Sequence, residues 1–323
     1  MKEILYDEIP SLDLADFTSG NAQKKAEFVQ KLGEAWQNIG FVAVKNHGLS
    51  DDLTQRLYKN VEKFFAFSDE VKQQYEHAAL AGQRGYIGRN KEHAKGRSTP
   101  DLKEFYHVGQ TVPSGIQLTE TYPPNIFPNE IPDFETSTIE AYATLEQAGM
   151  KLLQAAASFL GLSEYYFDEK VRYGNSILRA IHYYPIEHPE LLPADAVRAA
   201  AHGDINLITL LMGASAEGLQ VLRRDGKWIP ITALPEQIIV NVGDMLERLT
   251  NNVLKSTIHR VVNPSPDKLK TPRYSIPFFM HPRSEMSLAC LPNCISAENP
   301  KQYEDITAGE FLNQRLAEIG LKK

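Results

Sequence analysis

Between Ala201 and Leu211 the chain reads Ala-His-Gly-Asp-Ile-Asn-Leu-Ile-Thr-Leu-Leu, and this stretch constrains the fold more than any other. Its second half is apolar and β-branched, which predicts a buried strand. Side chains alternate faces along a strand, so this reading aims His202 and Asp204 at one point in space. An imidazole and a carboxylate so aimed make two thirds of a metal site. The candidate for the third ligand is His259, in Ser256-Thr257-Ile258-His259-Arg260-Val261-Val262-Asn263-Pro264.

Taken alone, the His-x-Asp pair suits a capped turn and a satisfied core histidine as well. The segment after His259 shifts the balance. Thr271-Pro272-Arg273-Tyr274-Ser275-Ile276-Pro277-Phe278-Phe279 is again strand-like, and Arg273 and Ser275 share a face. An arginine fork beside a hydroxyl suits the carboxylate of a small acid. Two imidazoles and one carboxylate on one side of an ion, with open positions opposite, is the arrangement of non-haem Fe(II) oxygenases. Three protein ligands leave three octahedral positions: two for the keto oxygen and carboxylate of a 2-oxoacid, one for dioxygen. Zn(II), which cannot change oxidation state, does not serve that chemistry.

On these motifs the sequence resembles the isopenicillin N synthase-like group of Fe(II)/2-oxoglutarate-dependent oxygenases. The likeness runs over nearly the whole chain. It includes Ile9-Pro10-Ser11-Leu12-Asp13, Gly40-Phe41-Val42-Ala43-Val44-Lys45-Asn46-His47-Gly48, His182-Tyr183-Tyr184-Pro185 and Gly243-Asp244-Met245-Leu246 beside the His-x-Asp, His and Arg-x-Ser elements. The resemblance implies His202, Asp204 and His259 as Fe(II) ligands, and Arg273, Ser275 and Tyr184 as residues meeting 2-oxoglutarate. It implies O2 as second co-substrate and ascorbate as accessory reductant. Decarboxylation of 2-oxoglutarate to succinate and CO2 would then drive oxidation of a C–H bond in a small organic molecule, by hydroxylation, desaturation or cyclisation. His182 stands where many plant members have Asn.

The expected fold class is α+β: a double-stranded β-helix, or jelly roll, with helices packed outside it, mainly from the N-terminal part. The 323 residues read as one oxygenase domain, with a mainly helical region over 1–170, the jelly-roll core over 171–285, and a C-terminal segment with a helix over 286–323. Apolar residues at helical spacing predict helices over Ala22–Asn38, from the Ser50 cap to about Phe67, over Thr136–Leu160, and from Ala308 to Ile319. The glycine-containing stretch Gly82–Val108 reads as loop-rich and ends in a strand at Phe105–Val108, and loops of this kind carry substrate recognition. Tyr86, Arg89, Glu92, His93 and Phe105, with His182, are its candidate substrate contacts. His47 reads as turn chemistry.

Lys and Arg number 34 against 41 Asp and Glu, a formal net charge of −7, and no basic run appears, so a nucleic-acid surface is not expected. No apolar stretch is long enough to span a bilayer, and Met1–Glu8 lacks the apolar core of a signal peptide. Cys290 and Cys294 are the only cysteines and read as two free structural thiols. A reducing cytoplasm is the natural compartment. The expected partner is a small-molecule substrate, for a monomer or weak homo-oligomer.

Three other readings stay open. One is an Fe(II) oxidase of the isopenicillin N synthase or aminocyclopropane-carboxylate oxidase type that does not use 2-oxoglutarate, or an ethylene-forming enzyme. The second is a His/His/Asp zinc hydrolase. The third is a non-catalytic binding module that keeps the barrel.

Overall fold

Helical periodicity in the N-terminal half becomes helix close to where the spacing predicts it. In the computed structural model, which describes residues 5–77, 80, 82–92, 99–120, 122–193, 195–212, 218–232 and 234–318, α1 is Leu14–Thr18 and α2 is Ala22–Asn38. The Asn21 side chain accepts from the backbone N–H groups of Gln23 and Lys24, which starts α2 there. Gly40, at φ +73°, lets the chain turn from α2 into β2 (Phe41–Lys45), a backbone geometry open to glycine at little cost. Helix α3 is Asp51–Phe65, capped by the Ser50 hydroxyl; α4 is Asp69–Gln73 and α5 is Asp133–Phe159. Their apolar faces bury Phe28, Leu32, Trp36, Leu57, Val61, Phe64 and Phe134 in one core. Each such side chain contributes roughly 2 kcal/mol relative to exposure.

That core lies against the outer face of an eight-stranded sheet. Its order is β1 (Ser11–Asp13), β2, β10 (Ile238–Val242), β7 (Ile208–Met212), β12 (Arg273–Met280), β5 (Ile177–Tyr183), β4 (Glu104–Gly109) and β3 (Gly85–Ile87). Only the β1–β2 pair is parallel. A smaller sheet holds β6 (Ala199–His202), β11 (His259–Val261), β8 (Leu219–Leu222) and β9 (Trp228–Pro230). Phe41, Ile181 and Ile239 from the large sheet join Leu219, Val221 and Val261 from the small one in a second core cluster. The remaining helices are α6 (Asp168–Val171), α7 (Asp244–Leu249) and α8 (Ala308–Glu318). The fold is α+β with helices on the outside, and the inner faces of the sheets hold the site.

Two local expectations are corrected. The stretch Gly82–Val108 is not only loop before Phe105, because Gly85–Ile87 pairs antiparallel with Phe105–His107. And β6 ends at His202, so His202 and Asp204 are not on one strand. After His202 the chain leaves the small sheet, passes through Asp204 and reaches β7 in the large one at Ile208. Gly203 sits at that crossing, where a Cβ would meet Asp244 Oδ1 at 2.8 Å and Ser256 Oγ at 3.1 Å. The cysteines are both free and buried.

Candidate metal and carboxylate site

His202, Asp204 and His259 nevertheless converge. Their ligand atoms lie within 4.8 Å of one another, with Asp204 Oδ1 3.9 Å from His202 Nε2 and 3.7 Å from His259 Nε2. Strand pairing does part of this work: His259 is the register partner of His202 across β6 and β11. The other nitrogen of each ring is spoken for. His202 Nδ1–H donates to the carbonyl of Ala200 (2.6 Å), and His259 Nδ1–H to that of Thr257 (3.1 Å). Both Nε2 lone pairs are thereby left facing the carboxylate, the tautomer a metal requires.

The carboxylate is held from the other sheet. Thr209 Oγ1 on β7 and Asn241 Nδ2 on β10 both donate to Asp204 Oδ2, at 2.6 and 2.8 Å, which turns Oδ1 toward the imidazoles. Burial raises the Asp204 carboxyl, but His259, His202 and these two donors outweigh it and hold its pKa below the usual range. Burial and the neighbouring His259 push His202 down to about 4, so its ring is neutral at neutral pH. Two imidazoles with Nε2 turned to the carboxylate, one half-buried and one buried, beside a buried carboxylate are a donor set that fits a divalent first-row ion.

The three residues line a cavity of about 540 Å³ shared with Arg273 and Ser275. Both of these come from β12 and are buried. Among the described residues Arg273 Nε and Nη1 have no hydrogen-bond partner, and the guanidinium lies 4.9 Å from the centroid of the Tyr183 ring. A buried guanidinium with idle donors is a costly arrangement for an empty protein, and one that an acid's carboxylate completes.

The other sequence-derived residues divide between two faces of the β4–β5 pair. Tyr184 does not line the cavity: it follows β5 and stacks with Arg89, whose Cζ is 4.4 Å from its ring. The cavity-facing tyrosine is Tyr183, the register partner of Arg273 and in step with Arg179 and Ile181 along β5. His182 therefore points away, donating to Glu104 Oε1 (2.8 Å) and stacking on Tyr274. Tyr86 is buried on that outer side, its hydroxyl donating to Glu104, and Arg89 approaches the same carboxylate at 3.6 Å. Phe105 faces inward but lies behind Arg179, whose Cζ is 4.2 Å from its ring. Glu92 does line the cavity, and His93 lies outside the described residues. His47 Nε2–H donates to the Glu236 carbonyl (3.1 Å), away from the site.

Sequence reasoning missed the polar wall around Glu92. Glu92 Oε1 accepts from Lys103 (2.7 Å) and from Arg179 Nη1 (3.2 Å), and Lys103 also meets Asp101 (2.9 Å). Burial alone would raise the Glu92 carboxyl, but Arg179 and Lys103 outweigh it and hold it well below its usual range. Arg179 Nε–H donates to His107 Nε2 (2.6 Å), so His107 is the neutral tautomer whose Nδ1–H donates to the Gly82 carbonyl (2.6 Å). The parity of β4 and β5 is the signal that would have found Arg179, His107 and Tyr183. Nothing local marks Leu312, Arg315 and Leu316 of α8, which close another part of the cavity. There Arg315 pairs with Asp244 at 3.1 Å.

Comparison with known proteins gives one consistent result. Residues 9–130 match the profile of the N-terminal region of non-haem dioxygenases in morphine synthesis, and residues 174–282 match that of the 2OG-Fe(II) oxygenase superfamily. A 2-oxoglutarate-Fe(II) type oxidoreductase, hxnY, from Emericella nidulans is 30% identical, with 94% of this chain and 88% of that protein covered. A crystal structure from Caulobacter crescentus, assigned to the 2OG-Fe(II) oxygenase family, superposes with a TM-score of 0.85 at 43% identity, covering 96% of this chain and 98% of that one. The crystal structure of a full-length Neurospora crassa protein in complex with alpha-KG and thymine gives a TM-score of 0.84 at 30% identity, covering 96% of each chain.

Proposed function

Because the chain belongs to the 2OG-Fe(II) oxygenase superfamily, we propose that His202, Asp204 and His259 hold its ferrous ion and that Arg273 and Ser275 hold its co-substrate. The protein is a non-haem Fe(II)- and 2-oxoglutarate-dependent oxidoreductase, a dioxygenase that acts on a small molecule. The observation that carries the residue assignment is the shared cavity. It has three convergent ligand atoms in one wall and an uncompensated buried guanidinium in another.

When bound, the iron and 2-oxoglutarate supply the oxidising chemistry. The chain's own residues do the rest. The Ala200 and Thr257 carbonyls fix the two imidazole tautomers, so that Nε2 is free to ligate without losing a proton. Thr209 and Asn241 fix the carboxylate rotamer and keep it ionised. Arg273 gives a parallel pair of N–H donors to the distal carboxylate of 2-oxoglutarate, with the Ser275 hydroxyl beside it. Tyr183, rather than Tyr184, is the tyrosine of this pocket. Asp204 brings one negative charge to a divalent ion, so the centre stays cationic and attracts an anionic co-substrate.

The prime substrate binds on the side of Arg179, His107 and Glu92. The cations Arg179 and Lys103 are balanced there by Glu92 and Asp101, and His107 is neutral. Burial also pushes His281, in the same lining, down to about 4. A small polar molecule without net charge suits that wall; thymine, in the Neurospora complex, is one. Hydroxylation is the proposed outcome. A reducing, cytoplasmic setting and a monomer or weak homo-oligomer complete the reading, supported by two buried free thiols and a ferrous centre.

The test is O2-dependent release of succinate from 2-oxoglutarate by the Fe(II)-loaded protein, screened over small neutral organic molecules. Consumption of O2 without succinate would move the protein to the oxidase reading. Turnover without O2, and with stoichiometric zinc, would move it to a hydrolase.

A further inference from the structure

Arg273 is not the only buried guanidinium at its end of the cavity. Arg198 immediately precedes β6 and is 3% exposed. Its backbone N–H donates to Asn263 Oδ1 (3.0 Å), and its Nη2 donates to the carbonyl of Thr271 (3.0 Å), two residues before Arg273. The two cations share one ring: Cζ of Arg273 is 4.9 Å and Cζ of Arg198 is 5.9 Å from the Tyr183 centroid. Three of their nitrogens, Arg198 Nε and Arg273 Nε and Nη1, are buried with no hydrogen-bond partner among the described residues. Burial, and next the charge of Arg273, hold the Arg198 guanidinium below its ordinary pKa.

Among the described residues, the buried lysines are matched by carboxylates, whereas buried Arg84, elsewhere in the fold, is held only by the neutral oxygens of Gln83 and Gln110. Lys72 has Glu104 at 2.9 Å, and Lys103 has Glu92 and Asp101 at 2.7 and 2.9 Å. Among the described residues, no carboxylate pairs with Arg198 or Arg273. Two like charges kept together in a buried place, with no counter-charge from the protein, are costly unless an anion completes them. A dicarboxylate whose other end reaches the metal brings one carboxylate to the pair and halves its uncompensated charge.

We propose that Arg198 is a second cationic anchor of the co-substrate site, acting beside Arg273 at Tyr183 so that the distal carboxylate of a 2-oxo dicarboxylate meets the field of two guanidiniums. Arg198 does not line the cavity, so it is a positioning residue that works through space and through Arg273. The proposal rests on the reading of Arg273 given above. Its consequence is selectivity: Arg198 strengthens binding of a five-carbon dicarboxylic oxoacid and is indifferent to a monocarboxylic one.

The experiment is anaerobic calorimetric titration of the Mn(II)-loaded protein with 2-oxoglutarate and with 2-oxobutyrate, which lacks the distal carboxylate. Wild type, Arg198→Gln, Arg198→Lys and Arg273→Gln are compared. Glutamine retains a donor for the Thr271 carbonyl. We expect Arg198→Gln to weaken 2-oxoglutarate about tenfold, to leave 2-oxobutyrate unchanged, and to raise the thermal midpoint of the ligand-free protein by removing an unpaired buried charge. Arg198→Lys should stay within about twofold of wild type, since it keeps the charge. Unchanged 2-oxoglutarate affinity in Arg198→Gln overturns the proposal, as does an equal loss for both oxoacids. A lower ligand-free midpoint with unchanged affinity makes Arg198 a packing residue only. Should Arg273→Gln bind 2-oxoglutarate as wild type does, the reading of Arg273 itself fails. Should Arg273→Gln lose affinity while Arg198→Gln does not, only the present proposal falls.

Discussion

The two faces of the β4–β5 pair are both polar, both buried and built from the same residue types, yet they do different things. On the helix side, Glu104 is 0% exposed and accepts from Lys72 and His182 at 2.9 and 2.8 Å and from the Tyr86 hydroxyl. That cluster is closed, and its glutamate has no idle oxygen. On the cavity side, Glu92 has a buried Oε2 without a partner among the described residues, and Arg273 has two such nitrogens. A satisfied polar cluster fixes packing; an unsatisfied one beside a cavity waits for a ligand.

The comparison breaks most sharply at the metal. Replacing Asp204 with Ala should abolish metal binding and succinate release, well beyond the roughly 100-fold lost when an outer hydrogen-bond partner is removed. Metal titration and a succinate assay on the same preparation check this. Retained turnover would mean that the cavity side is not where the chemistry lies.

Next in size is the contrast between Arg273→Ala and Glu104→Ala. The first should raise the apparent KM for 2-oxoglutarate by about 100-fold and change the prime-substrate KM little. The second removes one of the two carboxylates on Lys72, leaving Asp69 at 2.9 Å, and should cost on the order of 2 kcal/mol of stability, with the 2-oxoglutarate KM unchanged. Denaturant melts and steady-state kinetics on both variants separate them; a shared phenotype would erase the distinction between the faces.

The smallest effect is acid sensitivity. Burial alone would raise the Glu104 carboxyl, but the hydrogen bonds from His182, Tyr86 and Lys72 and the charge of Lys72 hold it down at about 2. A carboxyl lowered on folding contributes stability that is fully present above its unfolded value, near 4.5. That contribution drains away as pH falls from there toward 2. Urea midpoints measured at pH 7, 5, 4 and 3 should therefore fall less steeply for Glu104→Gln than for wild type. Parallel curves would remove Glu104 from the account.

Much of this was legible in the chain itself. Helices α2 and α3 and strand β12 follow from period and capping, and the three candidate ligands follow from residue type and order. The route to them did not. Strand alternation through Gly203 gives the right convergence for a reason the fold does not use, since the chain changes sheets at that glycine. Of the substrate candidates, Glu92 lines the cavity, while Tyr86, Arg89 and His182 are turned from it by strand parity and pairing. Tyr86, Arg89 and His182 carry suitable chemistry, but whether a residue on β3, β4 or β5 faces helix or cavity depends on pairing between distant segments. A one-residue shift exchanges the faces, as Tyr183 and Tyr184 illustrate. The contribution of α8 is invisible for the same reason, because it comes from far along the chain with no motif of its own.

The crossing at Gly203 has a mechanical consequence. The imidazoles belong to the four-stranded sheet, while the carboxylate is tethered by Thr209 and Asn241 to the eight-stranded one. A bound ion is then a rivet between two plates. Loading it should slow amide hydrogen exchange along the short strands around His202 and His259, adding one more tie to those already made by Ala200 with Asp101 and by Arg198 with Thr271.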